Sequence, residues 1–207
     1  MPHQLINTSH IHLVKRFCLA ALFAVLTAVI SSSAFATGES RTWQEVSTQH
    51  AVIHFQDNAD LFAFNERIQF KYPEPASDLN AEIARKIDAL FVRAQELLGM
   101  KGFVNPISVK IFKDRGQLDQ AYQKLYQKEG NARAWYSHDT LTIYIQLNDL
   151  HEGMLAHEFA HAIIDHYLIV PPPAESAEIL ARHVDQNLTK ELTPSRGDKQ
   201  ILGYSQH

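Results

Sequence analysis

The sequence predicts an α+β domain: a small mixed sheet, a helix bearing two histidines four residues apart, and a following helix that bears a glutamate. Three observations predict it. Short alternating stretches, 107–112 and 140–147, read as strands. Residues 77–98 place Ile83, Ile87, Leu90, Phe91 and Leu97 in one apolar stripe, the spacing of a helix. Residues 148–168 and 174–190 form a second helical pair, separated by Pro171-Pro172-Pro173, which no helix continues through.

In chain order, residues 1–36 contain Lys15 and Arg16, an apolar run 17–30 and the small-residue end Ser33-Ala34-Phe35-Ala36, with no acidic residue. A basic start, a short apolar core and a small-x-small site describe a secretory signal peptide, and cleavage is expected after Ala36. The remaining residues 37–207 suit a single domain. Cys18, the only cysteine, leaves with the signal, so the exported chain has no disulfide and no thiol nucleophile. The net charge of −4 becomes more acidic, and no basic run is present, which argues against a nucleic-acid partner. The expected location is the periplasm or the exterior, without membrane attachment after cleavage.

Residues 42–55 end in alternation and read as a strand; 57–60 reads as a turn. Residues 61–72 fit a short helix or a second strand, closed by Pro73 and Pro75. Ser77 or Asp78 caps the long helix and Gly99 stops it. After the strand 107–112, Asp114 caps a helix expected over 117–128. The β-branched and aromatic stretch 140–147 is a strand. Asp149 is the expected cap of the next helix, with Glu152 completing a capping box.

That helix carries His157-Glu158-Phe159-Ala160-His161. Residues four apart project from one helix face, so both imidazoles can reach one ion. Glu158 is rotated about a quarter turn away, where it can take a proton from water without occupying a ligand position. Two neutral nitrogens and a nearby carboxylate are what a hydrolytic zinc site requires. The helix is apolar around most of its circumference, so its histidines are buried polar groups in need of partners. A metal supplies them; so do ordinary hydrogen bonds in a core, and that metal-free reading stays open.

Two histidines and a water leave a tetrahedral ion one ligand short. On the helix 174–190, Ala177, Leu180, Ala181, Val184 and Leu188 make one face, and Glu178 and Asp185 lie at its edge. Glu178 is therefore the expected third ligand of one Zn2+, with Glu175 as the alternative. Asp185 or Asp165 can accept the second imidazole proton of a ligating histidine. His166 and His183 fall off the metal-facing sides.

With these residues the chain resembles a gluzincin, the metallopeptidase group defined by H-E-x-x-H and a downstream glutamate, in its compact peptidase-MA-like form. Glu178-Ile179-Leu180-Ala181 is similar to that group's Glu-x-x-Ala. Asn131-Ala132-Arg133-Ala134-Trp135 resembles, with one residue inserted, the Asn-Ala-x-Trp segment lining the substrate cleft of thermolysin-type enzymes. The resemblance implies a zincin-like fold with an active-site helix. It also implies an exported, zinc-dependent peptidase with Glu158 as general base, and a peptide or protein substrate lying along residues 140–147 as the sheet edge. Larger gluzincins add an oxyanion-stabilising Tyr or His from a further domain, for which the tail after Glu178 is too short. Tyr136, His138 and Tyr204 are the candidates for that role. The alternative is a catalytically weak or inactive module that binds metal or peptide in the same cleft.

Overall fold

The computed structural model describes residues 42–71, 75–102 and 104–190; the expected signal peptide and Tyr204 lie outside them. Among the described residues are five strands and five helices. The strands are β1 (Gln44–Ser47), β2 (Ala51–Phe55), β3 (Ile107–Phe112), β4 (Ala134–Ser137) and β5 (Thr142–Gln146). The helices are α1 (Asn58–Arg67), α2 (Leu79–Leu98), α3 (Arg115–Tyr126), α4 (Glu152–Tyr167) and α5 (Ala174–Asn187). The sheet order is β1-β2-β3-β5-β4, parallel at β2–β3 and β3–β5 and antiparallel at both outer pairs.

Alternation along the strands divides the side chains between two layers. Ala51, Ile53, Ile107, Val109, Ile143 and Ile145 pack with the buried faces of α2, α4 and α5 into the main core. On the opposite face, Phe112 and Tyr144 pack with Leu118 of α3 and with Trp135. The long helix α2 behaves as its stripe predicts: Ile83, Ile87, Leu90 and Phe91 are fully buried. Asp78 caps it by accepting from the N–H of Ala81, and Gly99, at φ 66, ends it in the left-handed conformation that glycine adopts at least cost.

The structure departs from the sequence reading at several points. Residues 42–55 form a hairpin, not one strand. Its turn is held by Asp88 of α2, which accepts from the Thr48 hydroxyl at 2.7 Å and the His50 N–H at 2.9 Å. Residues 57–60 are not a free turn, because Asp57 accepts from the N–H of Ala59 and starts α1. Asp149 does not cap α4. Its carboxylate is taken up by Arg133 at 3.1 Å and Gln146 at 2.9 Å, and His151 caps the helix by accepting from the N–H of Met154. Glu152 accepts from the N–H of Gln69 instead of closing a capping box.

The most consequential correction concerns the edge. Strand β5, within the expected edge 140–147, is paired on both sides, with β3 and with β4. Residues 138–141 turn the chain back, with Leu141 at φ 48, so the short strand Ala134–Ser137 takes the outer position beside α4. Among the described residues no helix is long and apolar enough to cross a membrane.

Phe91 joins the β1–β2 turn to α4 within the main core: it stacks on His50 at 4.6 Å and meets Phe159 of α4 edge-on at 5.2 Å. Phe91→Ala is expected to lower the unfolding free energy by about 3–5 kcal/mol, measured by denaturant titration, since the void cannot collapse between two packed rings.

Candidate metal centre

Helix α5 runs back along α4 after the triple-proline turn. Ala181, Val184 and Leu188 are buried against the core, and Arg93 of α2 donates from Nε to the carbonyl of Leu188 at 3.1 Å, tying down the end of α5. Packing through these apolar faces leaves the polar edges of α4 and α5 opposed. There the structure brings His157, His161 and Glu178 together, a donor set able to hold a metal ion.

The three donor atoms form a nearly equilateral triangle. His157 Nε2 and His161 Nε2 are 3.2 Å apart, and Glu178 Oε2 is 3.6 and 3.5 Å from them. An ion at zinc's usual ligand distances, about 2.0–2.1 Å, needs tetrahedral donors about 3.3–3.4 Å apart. The donor set fits. The imidazole side chains are 18 and 24% exposed; they face a cleft and not the interior of the core. Burial, with the neighbouring His157, lowers the pKa of His161 against the pull of Glu178, which keeps its lone pair available for a metal.

Glu178 is held by its other oxygen: Arg182, one turn along, donates from Nε to Oε1 at 2.8 Å. Burial works to raise its pKa, but Arg182 and the two histidines outweigh that and hold it low, so it is an anion. Glu175 is exposed and stands outside the donor group. Asp185 Oδ2 comes to 3.6 Å from His157 Nδ1, the side where a ligating imidazole carries its second proton. Asp165 is elsewhere engaged, with Tyr136 and His138. His166 faces the carbonyl of Ala162, and His183 pairs with Asn187.

Glu158 is 7% exposed. Burial pushes its carboxyl up to about 8, opposed by a hydrogen bond from the Tyr136 backbone and reinforced by the charge of Glu178. Tyr136 belongs to β4, the outer strand of the sheet, which borders the cleft. The cleft, of about 560 Å³, is lined by Ala134, Trp135, Tyr136 and His138 on the strand side. His157, Glu158, His161, Ile164 and Asp165 of α4 form its floor, and Pro171, Pro172, Ala177 and Glu178 close the far side.

Sequence reasoning did not find the role of Arg182, although its i,i+4 spacing from Glu178 marks a pair, nor the outer position of β4.

Glu178→Ala is expected to weaken zinc binding at least 100-fold in a competition titration with a chromogenic chelator, whereas Glu175→Ala leaves it unchanged. Binding weakens as the pH falls through the imidazole range, because protons compete for both nitrogens.

Compared with models of known protein families, with curated proteins and with solved structures, the chain shows no match, so the chemistry of the cleft rests on its own side chains.

Proposed function

We propose that the protein is a zinc-dependent peptidase of gluzincin type, zincin-like in fold and exported by the segment 1–36. The observation that carries this reading is the coincidence in one cleft of a tetrahedral donor face, a buried carboxyl beside it and an open strand edge. An extended peptide adds to an unpaired edge through main-chain hydrogen bonds, which gives affinity with little sequence choice. Strand β4 is the outer strand of the sheet and borders the cleft, which supports a substrate along β4 in place of the residues 140–147 first expected.

His157, His161 and Glu178 would hold a divalent ion, which when bound would supply Lewis acidity to the scissile carbonyl and to the attacking water. Glu158, as general base, takes a proton from that water as the new C–O bond forms. It then passes the proton to the amide nitrogen as the C–N bond breaks, leaving a carboxylic acid and an amine. At neutral pH a carboxyl raised to about 8 is largely protonated; a dication nearby favours its ionised form. Base strength and metal occupancy are therefore coupled.

The same burial favours a second reading, a module that binds metal or peptide with little turnover, because a carboxyl kept neutral accepts no proton. Chelator-sensitive cleavage of a diverse peptide mixture distinguishes the two: a binding module retains peptides and releases no products. In the peptidase, Glu158→Gln leaves zinc bound at wild-type stoichiometry and lowers cleavage by about 100-fold to 10,000-fold. Unchanged cleavage in that variant overturns the general-base role.

A further inference from the structure

We propose that Arg182, by taking one oxygen of Glu178, makes that carboxylate a one-oxygen donor and so selects a four-coordinate ion such as zinc over ions that favour six ligands. The proposal rests on the metal centre of the peptidase reading and adds a residue that decides which ion is held.

A carboxylate can grip an ion with one oxygen or with both. The two oxygens of Glu178 have different partners. Oε2 lies 3.6 Å from His157 Nε2 and 3.5 Å from His161 Nε2, while Oε1 accepts from Arg182 Nε at 2.8 Å. A charged donor at that distance competes for the lone pairs that a second bond to the ion would need. With one oxygen and two imidazoles the chain offers three donors, and water completes a tetrahedron, the arrangement zinc adopts. With both oxygens it would offer four, and further waters would complete the octahedral shell that manganese favours. Whatever holds Oε1 therefore decides between the two.

The position of Arg182 suits this role. Glu178 and Arg182 stand four apart on α5 with the glutamate first, the order in which a helical ion pair aligns best. Both ride on a helix whose Ala181 and Val184 are buried, so the guanidinium keeps its place beside the carboxylate. The Arg182 side chain is 63% exposed and that of Glu178 39%. A pair that open contributes little to folding, so its loss is felt at the ligand and not in the fold. Arg182 does not line the cleft; it acts through Glu178 and is a positioning residue.

The test uses the tag-free full chain and its Arg182→Ala and Arg182→Lys variants. Zinc and manganese affinities are measured by competition with a chromogenic chelator. Cobalt(II), loaded in place of zinc, reports coordination number through its visible absorption, which is strong with four ligands and weak with six. Arg182→Ala is expected to reduce the preference for zinc over manganese by about 10-fold to 100-fold and to weaken the cobalt bands. Arg182→Lys keeps a charged donor and is expected to hold the preference within about threefold of wild type. The ratio of the two affinities separates this role from others, because a lost charge near the ion or a displaced α5 changes both affinities alike. An unchanged ratio and an unchanged cobalt spectrum in Arg182→Ala, or an equal loss of both affinities, overturn the role of Arg182. A wild-type chain that holds neither zinc nor cobalt instead overturns the peptidase reading itself, and this proposal with it.

Discussion

Helices α4 and α5 must pack through their apolar faces before three donor atoms can meet at their polar edge. Ala181, Val184 and Leu188 on one side, and Phe159, Ala160 and Ile163 on the other, are buried in a single core. The triple proline and the Arg93 contact to the end of α5 restrict how the second helix can slide. A shift of one residue would rotate Glu178 by about 100° away from the imidazole pair. The donor triangle is therefore a consequence of helix register, and its sides of 3.2 to 3.6 Å are as precise as the packing beneath it.

Burial then shapes the chemistry. A helix submerged on most sides carries its polar groups at the cost of desolvation, and each finds a partner. His157 and His161 face Glu178, Glu158 receives the Tyr136 N–H, and Asp165 gathers Tyr136 and His138. All three arrangements open on one cleft, bounded by β4, the outer strand beside α4. The same low-polarity surroundings that raise Glu158 make its ionisation sensitive to any cation nearby. A cation held by the three donors would therefore change the proton affinity of Glu158.

Much of this was legible in the chain and some was not, for physical reasons. Helical spacing carries its own signal, so the stripe of α2, the histidine pair and the edge position of Glu178 could be placed from local sequence. Strand β4 has four residues, Ala-Trp-Tyr-Ser, too few to show alternation, and its pairing left β5 in the sheet interior where the sequence suggested an edge. The β1–β2 hairpin is closed by Asp88, about 40 residues away, a contact no local pattern encodes. Asp149 had the composition of a cap, but Arg133 and Gln146 compete for it, and His151 takes the position. The partners of Asp165 lie 29 and 27 residues upstream; only the folded chain brings them to it. The signal-like segment 1–36 stands on composition alone.

X-ray absorption at the zinc edge of the zinc-loaded, tag-free protein tests the central claim most directly. One tightly held zinc per chain is expected, with two imidazole nitrogen and two oxygen donors at about 2.0–2.1 Å and no sulfur. Zinc lost on gel filtration, or a shell of six oxygens without imidazole, would contradict it.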